Sequence, residues 1–178
     1  MQKLFISGCL LFLGFNLIAQ NTPAIKPSLK LQAFEQYFIS GVASSSSIIE
    51  VGDKEIPITP KKNEPQYFIY LIANKVPYIK IERVWIKQKL YTASILKITQ
   101  KPVVLKNGKF SDTLIKYTDE AVWQLTLKGP DSSNIKPKKD IAKLVAANEL
   151  VLRLNDKNGK LYTRSVKIIT KLEAARGM

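Results

Sequence analysis

Few residues in this chain have both the type and the spacing for covalent chemistry, and their surroundings work against it. Ser94-Ile95-Leu96-Lys97 sets a serine three residues before a lysine. At that separation a lysine amine can activate a serine nucleophile, provided both lie on one helical face. The flanking residues predict a strand, where positions three apart point to opposite faces. The K-T-G and S-D-N segments that accompany this chemistry are missing too. Asp156-Lys157-Asn158-Gly159 begins like a calcium loop, but no acid follows until Glu173 to close it. Paired carboxylates are the acid–base equipment of polysaccharide hydrolysis. Glu35, Glu50, Asp53, Glu55, Glu82, Asp119 and Glu120 are the candidates among fourteen acids, and spacing alone selects no pair.

What is absent excludes more than these motifs suggest. There is no histidine, so the commonest general base and metal ligand is missing. The only cysteine is Cys9. Ser-His-Asp and Cys-His arrangements are impossible, and so are the usual His/Cys zinc sites. No catalytic residue, metal or cofactor is expected.

Binding chemistry has better candidates. The formal charge is +14, and only Arg83, Arg153, Arg164 and Arg176 among 28 basic residues are arginine. Lysine is a point charge without the planar fork that grips phosphate in two places, which disfavours nucleic acid as the partner. An anionic glycan or lipid remains open, as does a solvated basic surface with no ligand. Lys136-Pro137-Lys138-Lys139, with Lys128 upstream, is the densest basic cluster. Lys136, Lys138 and Lys139 are therefore the candidate ligand-binding residues. Trp85, Trp123, Tyr67, Tyr70, Tyr78 and Tyr91 would stack on sugar rings if exposed, and fill a core if not.

The elements that must position these residues read as strands. Phe34–Val42, Ile48–Val51, Glu55–Ile58, Tyr67–Ile72, Tyr78–Ile86, Leu90–Thr99, Pro102–Leu105, Ala121–Lys128, Leu150–Leu154 and Leu161–Leu172 are alternating or short apolar runs bounded by turn residues. Tyr67–Ile72 is apolar on both parities and predicts a central strand covered on both faces. Pro57 and Pro60 keep their region at a sheet edge. The inward parity changes across Glu82-Arg83, which predicts a β-bulge. Lys87-Gln88-Lys89 reads as a turn. Lys-Asn-Gly-Lys occurs at 106–109 and 157–160, and Asn-Gly predicts type I′ hairpins at both. Ile141, Leu144 and Val145 predict one short helix, with Asp140 as its N-cap. The expected fold is all-β: an immunoglobulin-like sandwich of about eight strands, with the helix before the penultimate strand.

The N-terminus supplies an address. Lys3, the apolar stretch Leu4–Ala19 and the small residue Ala19 resemble a bacterial Sec signal peptide, cleaved near Ala19–Gln20. Two competing readings fit less well. Ile6-Ser7-Gly8-Cys9 matches a lipobox, but most of the apolar run follows Cys9, and a membrane anchor needs about 20 apolar residues. The expected organisation is a signal at 1–19, a linker at 20–33, one domain at 34–172 and a tail at 173–178. The chain reads as an exported, non-enzymatic binding or structural module of a bacterial envelope, in the periplasm or outside the cell. Its partner would be a protein or another envelope component, and no transmembrane helix is expected in the mature chain. The alternatives are a carboxylate-based enzyme on polysaccharide and a basic adaptor on anionic lipid or glycan.

Overall fold

The computed structural model describes residues 28–38, 47–58, 64–74, 78–107, 110–131 and 136–174. The signal segment, Cys9, linker residues 20–27, residues 44–46, most of the 61–65 loop and the tail from 175 lie outside them.

Twelve strands and one helix form among the described residues. In chain order they are β1 (Leu29–Gln36), β2 (Ser47–Val51), β3 (Lys54–Ile58), β4 (Gln66–Ala73), β5 (Ile79–Ile86), β6 (Lys89–Ile98), β7 (Val103–Asn107), β8 (Phe110–Ile115), β9 (Ala121–Pro130), α1 (Lys139–Ala147), β10 (Leu150–Asp156), β11 (Leu161–Val166) and β12 (Thr170–Lys171). The fold is all-β, built from two sheets. The larger runs β11-β10-β5-β6-β9-β4-β1-β12 and the smaller runs β3-β2-β7-β8. No helix among the described residues is long and apolar enough to cross a membrane.

The large sheet rolls up. β11 and β12 stand at opposite ends of its strand order, yet only residues 167–169 separate them in the chain. Laid flat, eight strands would place those ends about 34 Å apart, at ~4.8 Å per neighbour. The four steps from Val166 to Thr170 reach only about 14 Å, so the two ends must meet. They do: β1 contacts β11, and Arg164 Nε donates to the Leu29 carbonyl at 3.0 Å. The link between them is pinned by Glu149. Its backbone N–H donates to the Lys167 carbonyl at 3.2 Å, and its carboxylate accepts from the Ile169 N–H at 2.7 Å.

Three cores follow from this curvature. Inside the roll, Leu29, Ala33, Ile69, Leu71, Val84, Ile86, Trp123, Leu125, Leu150, Leu152, Leu154 and Ile169 are buried together. Outside it, the small sheet covers the opposite parity of β4 and β9: Phe68, Tyr70, Ile72 and Val122 pack with Ile49, Val103, Leu105 and Leu114. That is why β4 is apolar on both faces, as its sequence predicts. Also outside, α1 lays Ile141 and Val145 over Trp85 and Val151.

Several local expectations change. The first strand starts at Leu29, five residues before Phe34, because Leu29 and Ala33 carry the interior parity that pairs with β4. The expected strand 161–172 breaks in two, since the chain must leave β11 and cross to β1. The helix therefore precedes three strands instead of two. Lys138, not Asp140, stands before the helix, and no side chain caps it. Asp140 sits in the first turn, where the helix dipole favours an acid.

The 157–160 turn is not type I′. Asn158 has no positive φ, and Gly159 takes the left-handed position at φ 75° with its N–H bonded to the Asp156 carbonyl. This is a type I turn followed by a left-handed glycine, set by the Asp156 carboxylate. In the other hairpin Asn107 pairs with Phe110, so Asn107 is the last residue of its strand and the connection falls at 108–109, outside the described residues. The expected bulge is present: Arg153 faces Arg83 and Leu154 faces Ile81, leaving Glu82 without an opposite residue.

Candidate functional site, a split between β5 and β6

The turn joining β5 and β6 is tight. Ile86 pairs with Lys89, which leaves Lys87 and Gln88 as the two loop residues, and both adopt positive φ, 46° and 68°. Neither is a residue that tolerates this easily. Two contacts hold the turn down. The Lys87 N–H donates to the Glu149 carbonyl at 2.7 Å, and its ammonium group reaches Glu35 Oε2 at 2.6 Å. Glu35 is fully buried, and its Oε1 has no partner. Burial pulls the Lys87 pKa down, but the hydrogen bond to Glu35 and the charges of Glu35 and Glu149 outweigh this and leave it above the ordinary lysine value. Tyr67, opposite Glu35 on β4, is pushed well up by burial and by Tyr91 and Glu35. One end of the roll is thus closed by a polar cluster of Glu35, Lys87, Tyr67, Tyr91 and Glu149.

Below the turn the two strands part. They pair only at Ile86–Lys89, Trp85–Leu90 and Val84–Tyr91. From there β5 continues along β10, bulged at Glu82, and β6 continues along β9, where Lys128 and Gly129 of β9 together oppose Thr92. A bulge bends its strand and increases its twist, and the one at Glu82 turns β5 away from β6. The backbone edges Ile79–Arg83 and Thr92–Ile98 are therefore not paired with each other, and no described strand lies between them. A groove of about 360 Å³ lies there, lined by Ile81, Glu82, Arg83, Leu90, Tyr91, Thr92, Ala93 and Asp131. Ile81, Tyr91 and Ala93 are half-buried in its inner wall, against the interior core, and Ile95 continues the same face of β6. Arg153 Nε binds Glu82 at 3.2 Å on the outer side. Such an arrangement offers main-chain donors and acceptors to an extended peptide, with apolar contacts beneath.

The residues singled out by sequence are scattered. Lys136, Lys138 and Lys139 lie exposed before and at the start of α1, and none of them lines the groove. Ser94 and Lys97 lie on strand β6, out of reach of the one-face geometry that acyl transfer needs. Both carboxylate oxygens of Asp156 are occupied: Oδ1 by the N–H groups of Asn158 and Lys160, Oδ2 by the Tyr162 hydroxyl. No group of three or more acidic, His or Cys side chains suited to a metal occurs among the described residues. Four of the candidate acids are tied into ion pairs: Glu35 with Lys87, Glu50 with Lys106, Glu82 with Arg153 and Glu120 with Lys30. Of the aromatics, Trp85, Trp123 and Tyr70 are buried and Tyr67 and Tyr91 pack on the core, so only Tyr78, 52% exposed, presents a free face. Sequence reasoning missed the split, although its signal, the parity change at Glu82-Arg83, was visible. No protein-family model matches this chain, and no curated protein or solved structure matches it either.

Proposed function

We propose that this chain is an exported, non-enzymatic binding module of a bacterial cell envelope, and that it holds an extended segment of a partner protein in the β5–β6 split. The observation that carries the reading is the pair of facing strand edges that share only three residue pairs next to their turn. Open strand edges are sites for pairing with another chain unless something covers them. Export rests on Lys3, the apolar run Leu4–Ala19 and Ala19. The immunoglobulin-like comparison is supported only by the small sheet packing face to face on β4 and β9. A binding role also suits a chain whose candidate acids are largely engaged in ion pairs.

The test is a photo-crosslinking amino acid placed at Thr92 in the living cell, with Lys54 on the small sheet as control. A partner captured from Thr92 alone, by a chain whose mature N-terminus follows Ala19 and which fractionates with the envelope, is the expected result. Equal capture from both positions, or a chain retained in the cytoplasm with its leader intact, defeats the proposal.

A further inference from the structure

We infer that the occupant of the split is a short amphipathic strand, apolar on its inward side and acidic on its outward side. This inference rests on the binding reading above and adds the chemistry of the partner.

The length comes from the edges. β5 is free of a β6 neighbour from Ile79 to Arg83, so about five residues of an inserted strand find pairing there, roughly 17 Å. Because β5 and β6 run in opposite directions, one inserted strand lies parallel to one edge and antiparallel to the other. Side chains of that strand alternate between the two faces of the sheet.

On the inner face they meet Ile81, Tyr91, Ala93 and Ile95, which pack on the interior core yet remain half-buried. Apolar residues at every second position of the partner would complete that burial. On the outer face they meet Lys80 and Arg83 from β5, and the hydroxyls of Thr92 and Ser94 from β6. Among the described residues neither Lys80 nor Arg83 forms an ion pair with a carboxylate. The two acids lining the groove are engaged: Glu82 binds Arg153, and Asp131 has contacts of its own. An outward carboxylate opposite Lys80 or Arg83 makes a favourable cross-strand pair, and an outward lysine a repulsive one.

The experiment uses the protein purified from its own cells and three labelled seven-residue peptides. One alternates valine with glutamate, one alternates valine with lysine, and one scrambles the first. Fluorescence anisotropy reads affinity, and amide hydrogen exchange reads which backbone groups become protected. Binding of the glutamate peptide about tenfold tighter than the lysine peptide is expected, given two cross-strand charge pairs whose sign is reversed. Exchange should slow at Ile81–Arg83 and Thr92–Ile95. The double variant Lys80→Glu/Arg83→Glu, checked for an unchanged unfolding midpoint, should invert the preference. Lys80→Gln/Arg83→Gln should abolish it if the reversed variant is unstable.

Equal binding of both charged peptides, protection at another sheet edge, or a self-associated protein whose dimer buries the split would each overturn the inference. Failure of the peptide series with Thr92 crosslinking intact removes the acidic chemistry and leaves the binding module standing. Failure of both removes the site.

Discussion

Replacing Lys87 by methionine should be among the most damaging single changes at the turn end of the roll. The side chain keeps most of its volume and loses its charge. What remains is the Glu35 carboxylate, fully buried, with Oε1 unpartnered and Oε2 now deprived of its counter-ion at 2.6 Å. Removing one partner of a buried pair costs about 3–5 kcal/mol. The Lys87 side chain is 36% exposed, so water screens part of the attraction and about 2–3 kcal/mol is the better expectation. Glu35→Gln should cost less, about 1 kcal/mol, because the lysine it leaves behind can turn to solvent. The double variant should be more stable than the two single losses add up to, by about 1–2 kcal/mol, since it leaves no orphaned charge. Urea unfolding of the four proteins measures this through the midpoint, with the slope unchanged if the fold is retained. The Lys87 contribution also has a defined pH window. Its folded pKa is raised, so the stabilisation is fully present below the ordinary lysine value of 10.5 and is lost as pH climbs through the raised one. A Lys87→Met protein within about 0.5 kcal/mol of the parent, the range of an ordinary surface change, would refute the reasoning.

Other outcomes follow from the same geometry. Gly52→Ala should lower the thermal midpoint, because φ is 60° there and an added Cβ would lie 2.6 Å from the Gln100 Cβ; the left-handed conformation alone costs about 1–2 kcal/mol. Gly159→Ala meets open space, so its loss should stop near that backbone cost, and calorimetry separates the two cases. Asp156→Asn should loosen the β10–β11 turn, seen as faster amide exchange at Asn158 and Lys160. Hydrogen bonds from those two N–H groups and from Tyr162 overcome the opposing desolvation and hold the Asp156 pKa below its ordinary value. Its contribution is therefore present above the ordinary carboxylate value and lost as pH falls through the lowered one. Val145→Ala should cost about 2 kcal/mol by opening a void above Trp85 and Val151, read by tryptophan fluorescence and urea unfolding.

The legible part of this molecule was local. Alternation marked most strands, and the double-faced apolarity of Tyr67–Ile72 marked a strand buried on both faces between two cores. The parity change at Glu82-Arg83 marked a bulge, and Ile141, Leu144 and Val145 marked the helix, of which Ile141 and Val145 are buried while Leu144 stays exposed. Misreadings arose where a local cue had a stronger neighbour. Asp156 supplied side-chain acceptors that turned the second Asn-Gly hairpin into a type I turn. The three-residue passage to β1 cut Leu161–Leu172 in two. The candidate lysines carried charge density, but nothing in their spacing could bring a second recognition group to them.

Side-chain periodicity is a property of the backbone and survives in the sequence. It sufficed for the all-β class; that the chain has no histidine and a single cysteine is read from composition alone. Which strands become neighbours is a matter of long-range pairing, and no local period encodes it. Only the tertiary structure rolled the large sheet until β11 met β1, buried Glu35 beside Lys87, and let the bulged β5 diverge from β6. The β5–β6 split is the gap between two pairing choices, β5 with β10 and β6 with β9.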